Sequence, residues 1–263
     1  LARWNREHPS APFIYFFCID SQASLPTEGK VPVPLVEDLS YIRRHLLHTG
    51  YLLRAGRPVF ACFPYADDTS RWLEAFAGVF GRDGFDFLWN GPGADAGETG
   101  CYAWICPSTA TRNHEDTYPW PDPDDSGSGF LRDLYAKWNT PARQHHHYGM
   151  AGVWPGFNDQ LVTWAWKNPA VKNRARPRII NRETTHGSTY TLTWEAYHDY
   201  LSAQGRGDAD ARLPLPLVQI ATWNDYAEAS TIEPSQDYGT RLIEETASHV
   251  ARARALWPAT TAV

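Results

Sequence analysis

Short apolar runs rich in β-branched and aromatic residues alternate with amphipathic stretches along this chain, and several of those runs end in acids, amides and tryptophans. These two observations predict an α/β fold, a parallel sheet covered by helices and closed as a (β/α)8 TIM barrel, with working residues at strand C-terminal ends. A third observation narrows the choice. No glycine-rich phosphate loop follows any strand, which disfavours a nucleotide-binding doubly wound sheet.

Taken in order, the expected strands are PFIYFFCID (12–20), RPVFACFPY (57–65), GFDFLWN (84–90), GCYAWICP (100–107), YGMAGVWPGF (148–157) and LPLVQIATWND (215–225). Between the first two, DLSYIRRHLLHTGYLL predicts a helix that starts near Asp38 or Ser40 and stops at Gly50. TSRWLEAFAGVFG predicts a second helix, capped by Thr69 or Ser70 and ended by Gly81. GFLRDLYAKWN, TLTWEAYHDYLSAQG and DYGTRLIEETASHVARARALW predict three more. A barrel needs eight strands, so either two have gone unrecognised or, the favoured reading, the first one or two βα units precede residue 1. Residues 1–263 then read as a single catalytic domain, incomplete at its N-terminal side.

The 263 residues are 43% hydrophobic and 21% charged, which suits one large folded domain. A net charge of −6 argues against nucleic acid or an anionic membrane as partner, because both favour basic surfaces. No apolar run is long enough to span a bilayer. Cys101 and Cys106 flank an expected strand whose span of roughly 16 Å exceeds the about 5.5–6 Å between bridged Cα atoms, so no local disulfide is expected. Cys18 and Cys62 lie in strands and read as small buried hydrophobes. The cysteines do not decide the compartment, which stays open with a secreted or extracytoplasmic location slightly favoured. The 12 Trp, 13 Tyr and 11 Phe leave two readings open. One is an aromatic core; the other is a cleft of flat rings suited to stacking on sugars.

Four strand ends carry candidates: Asp20; Trp89 with Asn90; Trp154 with Asn158 and Asp159; and Asp225 with Glu228. The last group stands out. An apolar run from Leu215 to Ala221 leads straight into WNDYAE, and carboxylates beside aromatic rings are costly unless paired, hydrogen-bonded or working. Glycoside cleavage needs one carboxyl protonated and another ionised. As a helical turn, residues 225–228 would put both acids on one face at roughly 5–6 Å between Cβ atoms. As an extended segment they would point apart by about 10 Å. Inverting enzymes hold their carboxyls about 6.5–9.5 Å apart and retaining ones about 5–5.5 Å, and both remain open. The bland alternative is a surface turn whose acids are solvated or cap a helix.

Two stretches invite a metal reading. In HHH (145–147), His145 and His147 would share one strand face, but no third ligand can be nominated. In DPDDSGSGFLRD (122–133), Asp122, Asp124, Ser126 and Asp133 fall at calcium-type positions around Gly127. Its twelfth position is Asp rather than Glu, and YPWPDP supplies no entering helix, so a flexible acidic loop is expected.

WNDYAEASTIEPS (223–235) resembles the end-of-barrel signature of glycoside hydrolase families 71 and 99. It has the Asp of the family 71 run Trp-Asn-Asp-Tyr-Gly-Glu and the Ile-Glu-Pro element of family 99. FFCID is similar to the Ser-Phe-Asp strand end of family 71, with Cys18 in place of Ser. DLSYIRRHLLHTGYLLRAGRPVFACF, GCYAWICP and GVWPGFND extend the resemblance over Phe13 to Tyr238. It implies a TIM-barrel glycoside hydrolase acting on α-1,3-glucan or α-mannan, with an oligo- or polysaccharide partner and neither cofactor nor metal. By the same resemblance Glu228 is the general acid. Asp225 is the second carboxylate, which activates water in family 71 or assists the sugar 2-hydroxyl in family 99; its shortness leans toward inversion.

Substrate contacts are expected from Asp20, Trp89, Trp104, Trp154, Asn158, Trp223, Asn224, Tyr226 and Glu233. Each has a plainer alternative: Asp20 could cap the SQAS loop, the tryptophans could be core, and Glu233 could pair with Arg241 or Arg182. Two other functions stay open, an inactive carbohydrate-binding relative and a protein of polysaccharide biosynthesis.

Overall fold

In a computed structural model of the chain, the described residues are 2–9, 14–20, 33–47, 50–63, 69–90, 99–106, 122–139, 147–162, 178–204 and 213–257. They fall into two compact units. One holds the described residues through Tyr102 together with 147–149; the other holds 103–139 and everything from Met150 onward.

The first unit begins with helix α1 (Ala2–Glu7), followed by strand β1 (Phe17–Asp20), helix α2 (Val33–His45), strands β2 (Leu53–Arg54) and β3 (Arg57–Phe63), helix α3 (Thr69–Phe80), and strands β4 (Asp86–Trp89) and β5 (Gly100–Tyr102). Strands β1, β3, β4 and β5 run parallel in that order, with Phe17 opposite Phe60, Val59 opposite Asp86 and Leu88 opposite Gly100. Strand β2 folds back antiparallel on β3. Leu35, Leu39 and Ile42 of α2, with Trp72, Phe76 and Val79 of α3, recur at the three-to-four spacing of one helix face. They bury against Phe60, Cys62, Phe87 and Trp89.

Two sequence expectations change here. Helix α2 starts five residues before Asp38, with Pro34 in its first turn, where a missing N–H costs nothing. It ends at His45, and basic Arg43, Arg44 and His45 face the negative end of its dipole. Gly50, with φ 99°, belongs to the turn before the sheet rather than to the helix end. Cys18 is exposed rather than buried, because Phe17 and Ile19 turn to the core and alternation points Cys18 the other way. None of the four cysteines forms a disulfide, and the strand expected over 100–107 ends at Tyr102, so Cys106 lies beyond it.

Asp86, fully buried at the start of β4, is the charged centre of this unit. Arg57 Nε donates to Oδ1 at 2.7 Å and Arg54 Nη1 to Oδ2 at 3.3 Å. Arg54 also lies over the Tyr148 ring at 4.7 Å. Removing the acid strands two guanidinium groups, so Asp86→Ala is expected to lower the unfolding free energy by about 3–5 kcal/mol in urea titration. A loss under about 1 kcal/mol would show an ordinary surface pair.

The second unit contains helix α4 (Ser128–Trp138) and strand β6 (Tyr148–Val153), whose first two residues belong to the first unit. The β7–β8 pair (Phe157–Asn158 and Ile179–Ile180) and the β9–β10 pair (Glu183–Thr184 and Gly187–Ser188) follow. Helix α5 (Thr189–Gln204), strand β11 (Leu217–Ile220) and helix α6 (Arg241–Leu256) complete it. Strand β11 lies parallel to β6, Leu217 opposite Met150 and Ile220 opposite Val153. The single strand expected over 148–157 breaks after Val153. Gly156 has φ 146°, and a Cβ there would sit 2.8 Å from Arg182 Cγ.

Helix α5 packs against both α4 and α6. Its three tyrosines bury their rings; Tyr197 donates its hydroxyl to Leu215 O at 2.8 Å and Tyr200 to Leu213 O at 2.6 Å, while the Tyr190 hydroxyl lies 2.7 Å from Thr246 Oγ1. Across the α5–α6 contact, His198 and His249 meet, their ring centroids 5.2 Å apart, faced by Glu195, Glu245 and Arg252. Burial pushes both imidazoles below their ordinary value. The unfolded chain therefore takes up protons first as pH falls, so this stability is full above about pH 7 and is lost below about 6.5. The urea midpoint, measured with a chelator present, is expected to drop between about pH 7.5 and 5.5. A flat profile would mean the two rings titrate normally.

Candidate functional site

The chain leaves β11 through residues 221–233, a loop that buries Ala221 and Ile232 and carries a dense set of hydrogen bonds. The Ala221–Thr222 peptide is cis. Thr222 N–H donates to Ser230 O at 2.8 Å, Ile232 N–H to Trp223 O at 3.1 Å, and Glu233 N–H to Trp223 O at 2.8 Å. Three hydroxyls close the remaining gaps. Thr222 Oγ1 accepts from Asp225 N–H at 3.0 Å and lies 3.1 Å from Ser230 Oγ, while Thr231 Oγ1 donates to Trp223 O at 2.7 Å. Short hydroxyl side chains suit a tight loop because they supply donors and acceptors within reach of their own backbone.

Within this frame Asp225 and Glu228 occupy one turn. Asp225 Oδ1 accepts the Glu228 N–H at 2.9 Å, and Asp225 O accepts the Ser230 N–H at 3.2 Å. The turn, rather than the extended segment, is thus the arrangement adopted, and both acids are half-buried. The capping role is real for Asp225, one of whose oxygens serves the backbone.

Arg182, which sequence reading considered only as a partner for Glu233, fastens the loop from outside. Its Nη2 donates to Ala229 O at 2.8 Å and to Thr231 O at 2.9 Å. Its guanidinium lies over the Tyr238 ring at 4.5 Å. Ala229 takes a positive φ of 51° at this point.

Trp223 and Tyr226 are 52% and 54% exposed on this loop, and Asn224 is exposed beside them. Tyr226 donates its hydroxyl to Glu233 Oε2 at 2.8 Å. That carboxylate raises the Tyr226 phenol above its ordinary value. Glu233 is therefore paired with Tyr226; Arg241 instead meets Glu183 at 3.5 Å.

Asn158 joins this group through its backbone. Its N–H donates to Glu228 O at 2.7 Å, while its side chain accepts from Gln160 N–H at 2.9 Å. Next to it, the fully buried Asp159 accepts from Arg178 N–H at 2.7 Å and from Arg178 Nε at 2.8 Å.

Two expected sugar contacts are core residues. Trp154 is fully buried, and its indole N–H donates to Ser126 O at 2.9 Å. Trp89 is 1% exposed between Trp72 and Phe87 in the first unit. A face packed on both sides by protein cannot stack on a ligand. Trp104 is half-buried in the second unit, and Asp20 ends β1 in the first.

The calcium-like stretch is a built turn. Asp122 Oδ1 accepts Asp124 N–H, Asp125 Oδ1 accepts Gly127 N–H, and Asp124 takes the N–H and hydroxyl of Thr185. Its acids thus point at amides and a hydroxyl, and Asp133 lies on α4. His145 lies outside the described residues, and His147 is exposed.

The loop's order rests on Arg182, so Arg182→Gln is expected to speed amide hydrogen exchange at Glu228 and Ser230 by roughly tenfold or more. A charged donor's hydrogen bond contributes about 1.5–3 kcal/mol, and 1.4 kcal/mol is a factor of ten. Unchanged exchange would show that the hydroxyls hold the loop alone.

No protein-family model matches the chain, and no curated protein matches it by sequence. Among solved structures it is similar to the GH99 endo-alpha-mannosidase from Bacteroides thetaiotaomicron at 15% identity and a TM-score of 0.52, over 92% of this chain and 67% of that one. A structure of the same bacterium's enzyme in complex with BIS-TRIS-propane gives 15% identity and a TM-score of 0.51, over 92% of this chain and 71% of that one. The likeness supports a fold of the family 99 kind, an α/β chain of the TIM-barrel type; nothing in it is specific to family 71.

Proposed function

We propose that this protein is a glycoside hydrolase that cleaves α-linked polysaccharide, α-1,3-glucan or α-mannan, using Glu228 as general acid and Asp225 as base. One observation carries the reading: two acids held three positions apart on one braced turn, directly after a parallel strand, beside the exposed rings of Trp223 and Tyr226. The likeness to an endo-alpha-mannosidase supports the carbohydrate class and favours the mannan arm.

In the proposed reaction Glu228 gives its proton to the glycosidic oxygen, and that bond breaks as the sugar develops oxocarbenium character. A water attacks the anomeric carbon from the opposite face, and Asp225 takes the water's proton. With Oδ1 held by the Glu228 amide, Oδ2 is the oxygen proposed to act. The outcome is inversion. The retaining alternative has Asp225 assist the sugar 2-hydroxyl. Trp223 and Tyr226 offer flat faces to sugar rings, with Asn224 and Glu233 supplying polar contacts.

A reducing-end assay on α-1,3-glucan beside yeast-type α-mannan tests this. Wild type is expected to release ends from one of them, and Asp225→Asn and Glu228→Gln to lower the rate by roughly 10²–10⁴-fold each. Cleavage at the wild-type rate by either variant would remove that residue from its role. Oligosaccharide binding by calorimetry with no new ends from either polymer would replace the enzyme by a carbohydrate-binding relative.

A further inference from the structure

Where α5 packs on α6, four metal-ligating side chains converge away from the β11 loop in sequence. Glu195 and His198 lie three apart on α5, and Glu245 and His249 four apart on α6, so each pair shares a helix face. One ligand atom each from Glu195, His198 and His249 lies within 4.8 Å of the others. The His198 side chain is fully buried. Its Nε2 is 3.2 Å from His249 O. A carbonyl oxygen only accepts, so Nε2 carries the proton and Nδ1 presents a lone pair.

That lone pair is one of several buried polar atoms left without a hydrogen-bond partner among the described residues, the neighbouring Trp194 indole N–H being another. Nδ1 has no hydrogen-bond partner among the described residues, and Glu195 Oε1 lies 3.9 Å away. The carboxylate oxygen, on a partly exposed side chain, is already paired with Arg252, while the buried Nδ1 has no positive group bonded to it, a lack that a bound cation would fill. His249 Nε2 stands 3.6 Å from Glu245 Oε1, and its ring stacks on Trp194 at 5.1 Å and 5°. The Thr191 hydroxyl holds Glu245 Oε1 at 2.7 Å. Arg252 reaches Glu195 from the solvent side, bringing the one cation described in the group.

We propose that Glu195, His198 and His249 form a binding site for a divalent transition metal of the zinc class, clipping α5 to α6, with Glu245 as outer partner. Two imidazole nitrogens and one carboxylate suit that ion, whereas calcium and magnesium prefer all-oxygen shells. The His198 bond to a backbone carbonyl is the orienting contact that metal-bound histidines make through their other ring nitrogen. Neutral imidazoles, favoured here by burial, are the ligating form. Ligands about 2.1 Å from a tetrahedral ion lie roughly 3.4 Å apart, so the side chains close in slightly on binding. The partly exposed Glu195 gives the ion a path in.

The test uses the full chain stripped with a chelator and titrated with zinc near about pH 7.5, where the ligands are deprotonated. Calorimetry is expected to show one equivalent bound and the thermal midpoint to rise, with both reversed by chelator. Cobalt(II) at the same site should give visible d–d bands of four-coordinate type. His249→Gln and the half-exposed Glu195→Gln, each folded by circular dichroism, should weaken zinc by at least the roughly 10–100-fold that loss of an outer partner costs. His186→Gln, on an exposed turn, should change nothing. No zinc uptake by wild type, or uptake undiminished in the folded variants, overturns the proposal.

Discussion

Two backbone carbonyls, those of Ala229 and Thr231, converge on one guanidinium nitrogen of Arg182, and the loop after β11 is built around that convergence. An irregular loop must satisfy its polar backbone internally or be solvated and loose. This one does the former. Thr222, Ser230 and Thr231 supply hydroxyls, Asp225 supplies a cap, and Arg182 supplies the charge that binds the far side. Asp225 and Glu228 inherit their placement from that network rather than from packing.

The aromatic residues divide along the same line between bracing and display. Trp72, Trp89, Trp154 and Trp194 are fully buried, Trp154 donating its indole N–H to Ser126 O, and Tyr197 and Tyr200 return their hydroxyls to backbone oxygens. A ring that satisfies its polar edge inside is stable there, as Trp154 does, whereas the indole N–H groups of Trp72, Trp89 and Trp194 have no hydrogen-bond partner among the described residues. Trp223 and Tyr226 have no such enclosure and stand half-exposed on the braced loop. The aromatic-core reading of the composition therefore holds for the buried rings, while Trp223 and Tyr226 are the exposed rings on which the proposed sugar contacts rest. The proposed metal clip follows the same logic in reverse: His198 is enclosed, yet only one of its nitrogens is satisfied.

Much of the fold was legible in the residues. Helices α3 to α6 and the parallel strands follow from apolar spacing, and Gly81, with φ 86°, does end α3. The failures share a cause. Helix α2 extends back over Val33 and Pro34 because its buried stripe begins at Leu35, which a cap-based reading from Asp38 overlooks. Trp89 and Trp154 looked like strand-end ligand contacts, but position along a strand does not say which face meets a helix. Arg182 and Asp86 carried little sequence signal, since an arginine's partners are set by distant chain segments. The pairs Glu195–His198 and Glu245–His249 were visible as spacings, but only the α5–α6 contact gives them a common centre.

The sequence by itself determined periodicity: which stretches are strands, which are helices, and that a strand rich in apolar residues runs into two acids and two rings. Those properties are local, set by spacing of neighbours along the chain. Tertiary structure alone decided which aromatic faces are covered, that Arg182 ties down the turn carrying Glu228, and that His198 keeps an unpaired buried nitrogen. Each of these depends on atoms far apart in sequence coming within a few bond lengths, and hydrogen bonds and burial are decided at that range, not along the chain.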